Sequence, residues 1–192
     1  RKYRYEANQY LIEGFHLMEE ALKTNQSIEA VIVEEGTDIP DMIDKRSIIT
    51  VSESVFKEIS QTETPQGIAA VVNMRQVKNE PHNYVLLIDR IQDPGNLGTI
   101  IRTADAAGFS KIILGNGTVD MYNDKVIRAS QGSIYHIPIV QENLTETIPH
   151  LQAEGFSVWG TTLNDAENYK DVQPNEKTAI LLGNEGSGVD QS

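Results

Sequence analysis

The chain has 192 residues, a formal net charge of −12 and no cysteine. That length suits one large or two small domains, and the lack of cysteine excludes disulfides and thiolate metal sites and fits a reducing cytoplasm. The acidic balance argues against a protein whose whole surface attracts nucleic acid, no apolar run approaches a membrane span, and no signal peptide is visible. A hydrophobic share of 39% is enough for a packed core. The four histidines, His16, His82, His136 and His150, show no ligand spacing, so no metal site is expected.

Taken in order, Tyr10-Leu-Ile-Glu13 reads as a strand and Gly14–Lys23 as a helix with Leu17, Met18, Ala21 and Leu22 on one face. Ile28–Glu34 is a second strand. Residues 35–46 are polar, contain Pro40, and are expected to be loop with at most one short helix. Ile48–Val51 is a third strand, and Ser52 is placed to cap a helix through about Ser60. Thr64-Pro-Gln-Gly67 is a turn signal leading into the strand Ile68–Val72. Alternating strands and helices make this a small α/β domain, residues 1–75. Residues 76–83 carry no periodicity and form a linker. A second α/β unit then spans 84–192.

That second unit opens with an apolar strand, Tyr84–Asp89, followed by a Pro-Gly turn and a helix expected to start at Asn96 or Leu97. Leu97, Ile100, Ile101, Ala104 and Ala107 define its apolar face, Arg102 leaves that face, and Gly108 suits the C′ position. A strand at Lys111–Leu114, a Gly-Asn-Gly loop and a helix near Asp124–Ser130 come next. A strand over Ile134–Val140 is expected, then a helix capped by Asn143 with Glu146 and ending at Gly155. Phe156–Thr162 is a strand, 163–177 a polar loop, and Thr178–Leu182 a last apolar strand.

Two loops follow buried, parallel-type strands: Asp93-Pro-Gly-Asn-Leu-Gly98 and Gly183-Asn-Glu-Gly-Ser-Gly188. If the strands are neighbours, the loops meet at one edge of the sheet, where open α/β folds bind ligands. Glycine there admits close approach and supplies N–H donors. No GxGxxG, GxxxxGK[ST] or GxSxG pattern occurs, which weakens Rossmann, P-loop and hydrolase readings. Charge is asymmetric. Arg1, Lys2 and Arg4 cluster at the start, and Arg90, Arg102, Lys111, Lys125 and Arg128 fall in the middle third, suggesting one basic face.

Asn96-Leu-Gly98 with Arg102-Thr-Ala104 resembles the first signature of the SpoU family of RNA ribose 2′-O-methyltransferases, within the SPOUT superfamily. Leu182-Gly-Asn-Glu-Gly-Ser-Gly188 resembles the second signature, and Lys125-Val-Ile-Arg-Ala-Ser130 with Gly132 and Ile137-Pro-Ile139 is similar to the segment between them. Leu11-Ile-Glu-Gly14, Glu20-Ala-Leu22 and Thr64-Pro-Gln-Gly67 resemble the family's small substrate-binding domain.

The resemblance implies an α/β fold whose C-terminal domain is a trefoil α/β knot with a mostly parallel sheet. It implies S-adenosylmethionine as methyl donor, a homodimer, and an RNA substrate, with ribosomal RNA favoured over transfer RNA. It places Asn96, Arg102 and Glu185 at the reaction centre, and Leu182, Gly183, Asn184 and Gly186 at the cofactor. Arg90, Arg128 and Ser130 are candidate RNA contacts. The family's third signature, a strand and turn leading into a final helix, does not occur by Ser192, so a piece of a longer protein with an incomplete cofactor pocket is expected. Competing readings are a non-catalytic RNA-binding or assembly module with the same fold, and a ribosomal RNA methyltransferase conferring antibiotic resistance.

Overall fold

A computed structural model describes residues 2–44, 48–77, 81–162, 166–168, 170–173 and 175–189. Arg1 of the basic cluster and parts of the 76–83 and 163–177 segments lie outside the described residues.

The first sheet is built from β1 (Gln9–Glu13), β2 (Ile28–Glu34), β3 (Ile48–Val51) and β4 (Ile68–Asn73), in the order β1-β4-β2-β3. β4 runs antiparallel to both β1 and β2, while β2 and β3 are parallel. Alternation decides which face is inside: Tyr10 and Ile12 of β1 and Val31 and Val33 of β2 are buried, and their neighbours are not. α2 (Phe15–Lys23) lays Leu17, Met18 and Ala21 into the core, as its periodicity predicts. α3 (Glu53–Ile59) follows β3 and buries Phe56. Ser52 occupies its N-cap position without capping it; the Ser52 hydroxyl instead meets Ser54 Oγ at 3.0 Å.

A helix the sequence pattern did not reveal, α1 (Lys2–Ala7), precedes this sheet. It buries none of its residues, so it carries no apolar period to read. Polar contacts dock it. Arg4 Nη2 lies 2.9 Å from Asp120 Oδ2, and the Tyr5 hydroxyl donates to Asp120 Oδ1 at 2.8 Å.

The second sheet is wholly parallel, in the order β7-β6-β5-β9-β8. Its strands are β5 (Tyr84–Ile88), β6 (Lys111–Leu114), β7 (Ile139–Gln141), β8 (Ser157–Gly160) and β9 (Thr178–Leu182). Val85, Leu86, Leu87 and Ile88 are all buried, because β5 is central and covered on both faces. One face receives α4 (Pro94–Ala106), whose Leu97, Ile101 and Ala104 are buried, and α5 (Asp124–Ser130). α6 (Leu144–Ala153) covers the other through Leu151.

Two expectations are corrected. α4 starts at Pro94, earlier than Asn96: Asp93 is the N-cap, its Oδ1 accepting from Asn96 N at 2.8 Å, and proline takes the first turn where no N–H is required. The strand expected over Ile134–Val140 is mostly absent. Ser133–Tyr135 forms a 3-10 turn held by the Tyr135 N–H donating to Gly132 O at 2.9 Å, and Pro138 has no N–H to give a ladder, so only Ile139–Gln141 pairs. Gly108 and the Asn143–Glu146 pair behave as expected. Gly108 has φ +79 just beyond α4, and Asn143 Oδ1 accepts from Thr145 N at 3.2 Å while its amide donates to Glu146 Oε1 at 2.9 Å.

The two sheets are not independently packed. Tyr122, Ile127 and Tyr135 of the second unit belong to the same core as Tyr10, Leu17 and Met18 of the first. Burial, with Tyr5 and Asp120 close by, pushes the Tyr122 hydroxyl up to about 12. No helix among the described residues is long and apolar enough to cross a membrane.

Gly98 marks a close approach of α4 to α5. A β-carbon there would stand 2.5 Å from Ala129 Cβ and 2.7 Å from the Val126 carbonyl oxygen, both on α5. Gly98→Ala is therefore expected to push α4 off α5 and to lower stability by about 1–3 kcal/mol, the usual effect of overpacking; thermal denaturation reads it, and an unchanged midpoint would contradict this packing.

Candidate active site

β5 and β9 are parallel neighbours in register from Tyr84–Thr178 to Ile88–Leu182, so the loops that follow them emerge side by side. The Asp89 N–H still donates to Leu182 O at 2.8 Å, carrying the pairing one step past the strand. There the chain turns. Arg90 takes φ +55, an uncommon conformation for a side chain of its size. It folds its guanidinium onto Asp89, with Nε to Oδ1 at 3.0 Å and Nη2 to Oδ2 at 3.2 Å.

Asn184 fastens the second loop to this turn. Its amide donates to the Arg90 carbonyl at 2.8 Å, and its Oδ1 accepts from the N–H groups of Gly186 at 2.9 Å and Ser187 at 3.1 Å. Asn184 and Gly188 exchange two backbone bonds of 3.0 Å, closing the loop on itself. Gly183 has to be glycine for this closure, since a β-carbon would lie 2.2 Å from Gly188 C.

The closed loop delivers Glu185 to the start of α4. Asn96 Nδ2 donates to Glu185 Oε1 at 3.1 Å. The backbone N–H of Glu185 itself, then the Asn96 amide, and further the backbones of Asp93 and Gln92 hold the Glu185 carboxyl below the usual carboxylate range. Asp93 is held low too, first by the Asn96 backbone N–H and then by Lys125, whose Nζ is 3.6 Å away. The first turn of a helix favours such negative charge.

The structure thus joins Asn96 and Glu185 and sets Arg102 apart. Six residues along α4 separate Arg102 from Asn96, about 9 Å of axial rise. Arg102 is exposed, and among the described residues it makes no hydrogen bond or ion pair. Its nearest candidate partner on the helix, Asp105, is engaged by His136 at 3.1 Å.

The other site expectations divide. Gly183, Asn184 and Gly186 build the loop just described and Leu182 ends β9 before it, whereas a cleft of about 490 Å³, which none of the four lines, opens beside it at the C-terminal ends of β5, β6 and β9. Arg90, Gly115, Asn116, Leu144, Leu181 and Val189 line that cleft. Gly115 and Asn116 carry a sequence signal, the Gly115-Asn-Gly117 run directly after a buried strand, although it does not by itself mark a cleft; Leu144 carries none. Arg90 therefore faces this cleft. Arg128 pairs with Asp124 at 2.9 Å and borders a separate cleft of about 320 Å³ that also includes His16, Thr64 and Gln66. Ser130 is corrected: it has no exposed surface, and its hydroxyl donates to Ile127 O at 2.8 Å, which makes it a packing residue beneath α4 rather than an RNA contact.

Two glycine-bearing loops joined at the carboxyl edge of a parallel sheet, next to an open cleft, define a ligand-binding α/β protein with an appended small mixed-sheet unit. Residues 83–192 match the SpoU rRNA Methylase family, and residues 1–70 match the MRM3-like substrate binding domain. The chain belongs to the SpoU rRNA methylase family. It is 47% identical over 191 residues to the 23S rRNA (guanosine(2553)-2′-O)-methyltransferase RlmP of Bacillus subtilis, covering 99% of this chain and 77% of that one. The AdoMet-bound rRNA methyltransferase of Sinorhizobium meliloti superposes with a TM-score of 0.84 at 30% identity, over 98% of this chain and 76% of that one. The SpoU methyltransferase AviRb of Streptomyces viridochromogenes, at 24% identity, shares the fold with a TM-score of 0.87, over 100% of this chain and 79% of that one.

The low Glu185 carboxyl has a pH consequence. A depressed folded-state value means the folded loop favours the charged form, so this contribution is in place above the unfolded value and is lost as pH falls through the folded one. Amide resonances of Gly186 and Ser187, followed by NMR, are expected to stay constant on acidification through the ordinary glutamate range and to move only below it. Movement at an ordinary glutamate value would contradict the Asn96–Glu185 contact.

Proposed function

We propose that the ribose this protein methylates belongs to a 23S ribosomal RNA guanosine, as the name of its Bacillus subtilis relative states for that enzyme. The chain is an S-adenosylmethionine-dependent RNA 2′-O-methyltransferase. The observation that carries the residue assignment is the Asn96–Glu185 contact, which unites the family's two signature loops at the carboxyl edge of the sheet.

The cleft beside those loops suits the methyl donor. Its volume lies in the range that holds a small-molecule cofactor. Leu144, Ile148 and Leu181 give it apolar walls, and Asp89 and Asn116 give it polar atoms at the strand ends. Leu181, Val189 and the Gly115-Asn116 turn are the residues assigned to hold the cofactor, with the Gly183–Gly188 loop as the wall between it and α4. When bound, the cofactor supplies an electrophilic methyl group on sulfur.

The protein's own task is to orient a ribose hydroxyl in line with that methyl group and to stabilise the charge its oxygen develops. Asn96 is assigned to orient the hydroxyl, with Glu185 fixing the Asn96 amide. Arg102 is assigned to the adjacent phosphate and the developing alkoxide. A guanidinium is a poor base but a strong bidentate donor to such oxygens. Its freedom from any partner among the described residues supports this assignment, because no bond has to be broken first. The reading includes residues 1–75 as the substrate-binding unit, residues 84–192 as the methyltransferase unit with its trefoil knot, and a homodimer.

In the full-length protein, Arg102→Ala is expected to lower transfer of labelled methyl groups to unmodified 23S ribosomal RNA by about a hundredfold or more, the usual effect of removing one such donor. The S-adenosylmethionine dissociation constant, measured by calorimetry, is expected to stay within about twofold, because Arg102 does not line the cleft. A wild-type rate in the variant would overturn the assignment.

A further inference from the structure

The residues assigned to chemistry sit on one unit, while the RNA is assigned to be held largely by the other, so something must fix the angle between them. Three contacts meet where α2 of the first unit crosses the 131–136 segment of the second. His16 Nε2 lies 3.2 Å from the Gln131 carbonyl oxygen. Glu20 packs against the backbone at Gly132, where its Cγ is 2.9 Å from the position a β-carbon would take. The third contact is a side-chain bridge. His136 presents Nε2 to Glu20 Oε2 at 3.5 Å and Nδ1 to Asp105 Oδ2 at 3.1 Å.

The ends of that bridge are informative. Glu20 is on α2, in the unit assigned to substrate. Asp105 is on α4, one turn beyond Arg102 and on the same side of the helix by its three-residue spacing. Glu20 is also 3.2 Å from Lys23 Nζ, and its side chain is only 16% exposed. His136 adds nothing to the apolar core, being itself exposed. Residues that seal the joint by packing, such as Tyr135 and Ile127, lie beneath it.

We propose that His136 is a positioning residue for methyl transfer: it ties α2 of the substrate-binding unit to the Arg102-bearing face of α4 and so sets the register between bound RNA and the reacting groups. The proposal rests on the methyltransferase reading above. It touches neither RNA nor cofactor, and its effect runs through Asp105 and α4. A protonated imidazole does this with two N–H donors at opposite ends of a rigid ring, whereas a neutral one donates to one of the two carboxylates only. Arginine can bridge the same two carboxylates through separate nitrogens.

The test uses the full-length protein, unmodified transcribed 23S ribosomal RNA and labelled S-adenosylmethionine. His136→Ala is expected to lower kcat about tenfold, while the dissociation constants for RNA and for S-adenosylmethionine stay within about twofold. His136→Arg is expected to keep kcat within about threefold of wild type. Glu20→Gln is expected to lower kcat as well, and to add little in a double variant with His136→Ala, because both break one bridge. A wild-type kcat in His136→Ala would overturn the proposal. So would a loss of RNA affinity matching the loss of kcat/KM, which would make His136 an RNA contact, or a failure of His136→Arg to restore a rate that His136→Ala loses. A wild-type protein that binds cofactor and methylates no RNA would instead overturn the methyltransferase reading and this role with it.

Discussion

Parallel pairing of β5 with β9 is the constraint on which the site depends. Adjacent strands lie about 4.8 Å apart, so whatever follows Ile88 and Leu182 in the chain is brought together without a dedicated contact. The pairing is specified by burial. β5 is apolar along its length because both faces are covered, and β9 matches it residue for residue. A slip of one residue would move every side chain of the slipped strand to the opposite face, against the other core. With register fixed, a few hydrogen bonds finish the arrangement: Asn184 to the Arg90 carbonyl, and Asn96 to Glu185. Neither bond is strong alone, since each is worth about 1 kcal/mol net. Their role is to choose one loop conformation among many, at the point where a ligand needs fixed groups.

The second organising feature is that the first sheet has no wholly private core. Tyr10, Leu17 and Met18 share a cluster with Tyr122, Ile127 and Tyr135, and Arg4 and Tyr5 of α1 reach Asp120. The units are therefore coupled by apolar burial, which is strong and non-directional, and by a rim of directional polar contacts. The burial holds them together; contacts such as Glu20–His136–Asp105 select an orientation. This division of labour suits an enzyme whose substrate is larger than itself.

Much of this was legible in the sequence, for physical reasons that differ from element to element. The strands of both sheets other than β7, and the apolar faces of α2 and α4, follow from period and burial. The Asn143 cap follows from its side-chain chemistry. α1 was hidden because it docks through Arg4 and Tyr5 rather than through an apolar stripe. The start of α4 was misplaced by two residues because Pro94 reads as a turn unless Asp93 is weighed as its cap. The 134–140 segment looks like a strand in its apolar content, yet Gly132 and Pro138 bend it into a turn and leave only the last three residues to pair. For the site, the two loops could be matched to family signatures, and their meeting followed from parallel strands. Ser130 was misjudged because a hydroxyl on a short helix gives no sign of burial. In the cleft wall, Gly115 and Asn116 carry a local signal, a glycine turn after a buried strand, whereas tertiary packing alone brings Leu144 to them.

The most direct measurement is the position of the transferred methyl group. Unmodified 23S ribosomal RNA would be incubated with the full-length protein and S-adenosylmethionine, digested to nucleosides and analysed by mass spectrometry. The account predicts 2′-O-methylguanosine, with the methyl mass on the ribose fragment and an unmodified guanine base. A methyl group on the base, or RNA recovered without any methyl group while the cofactor is bound, would contradict it.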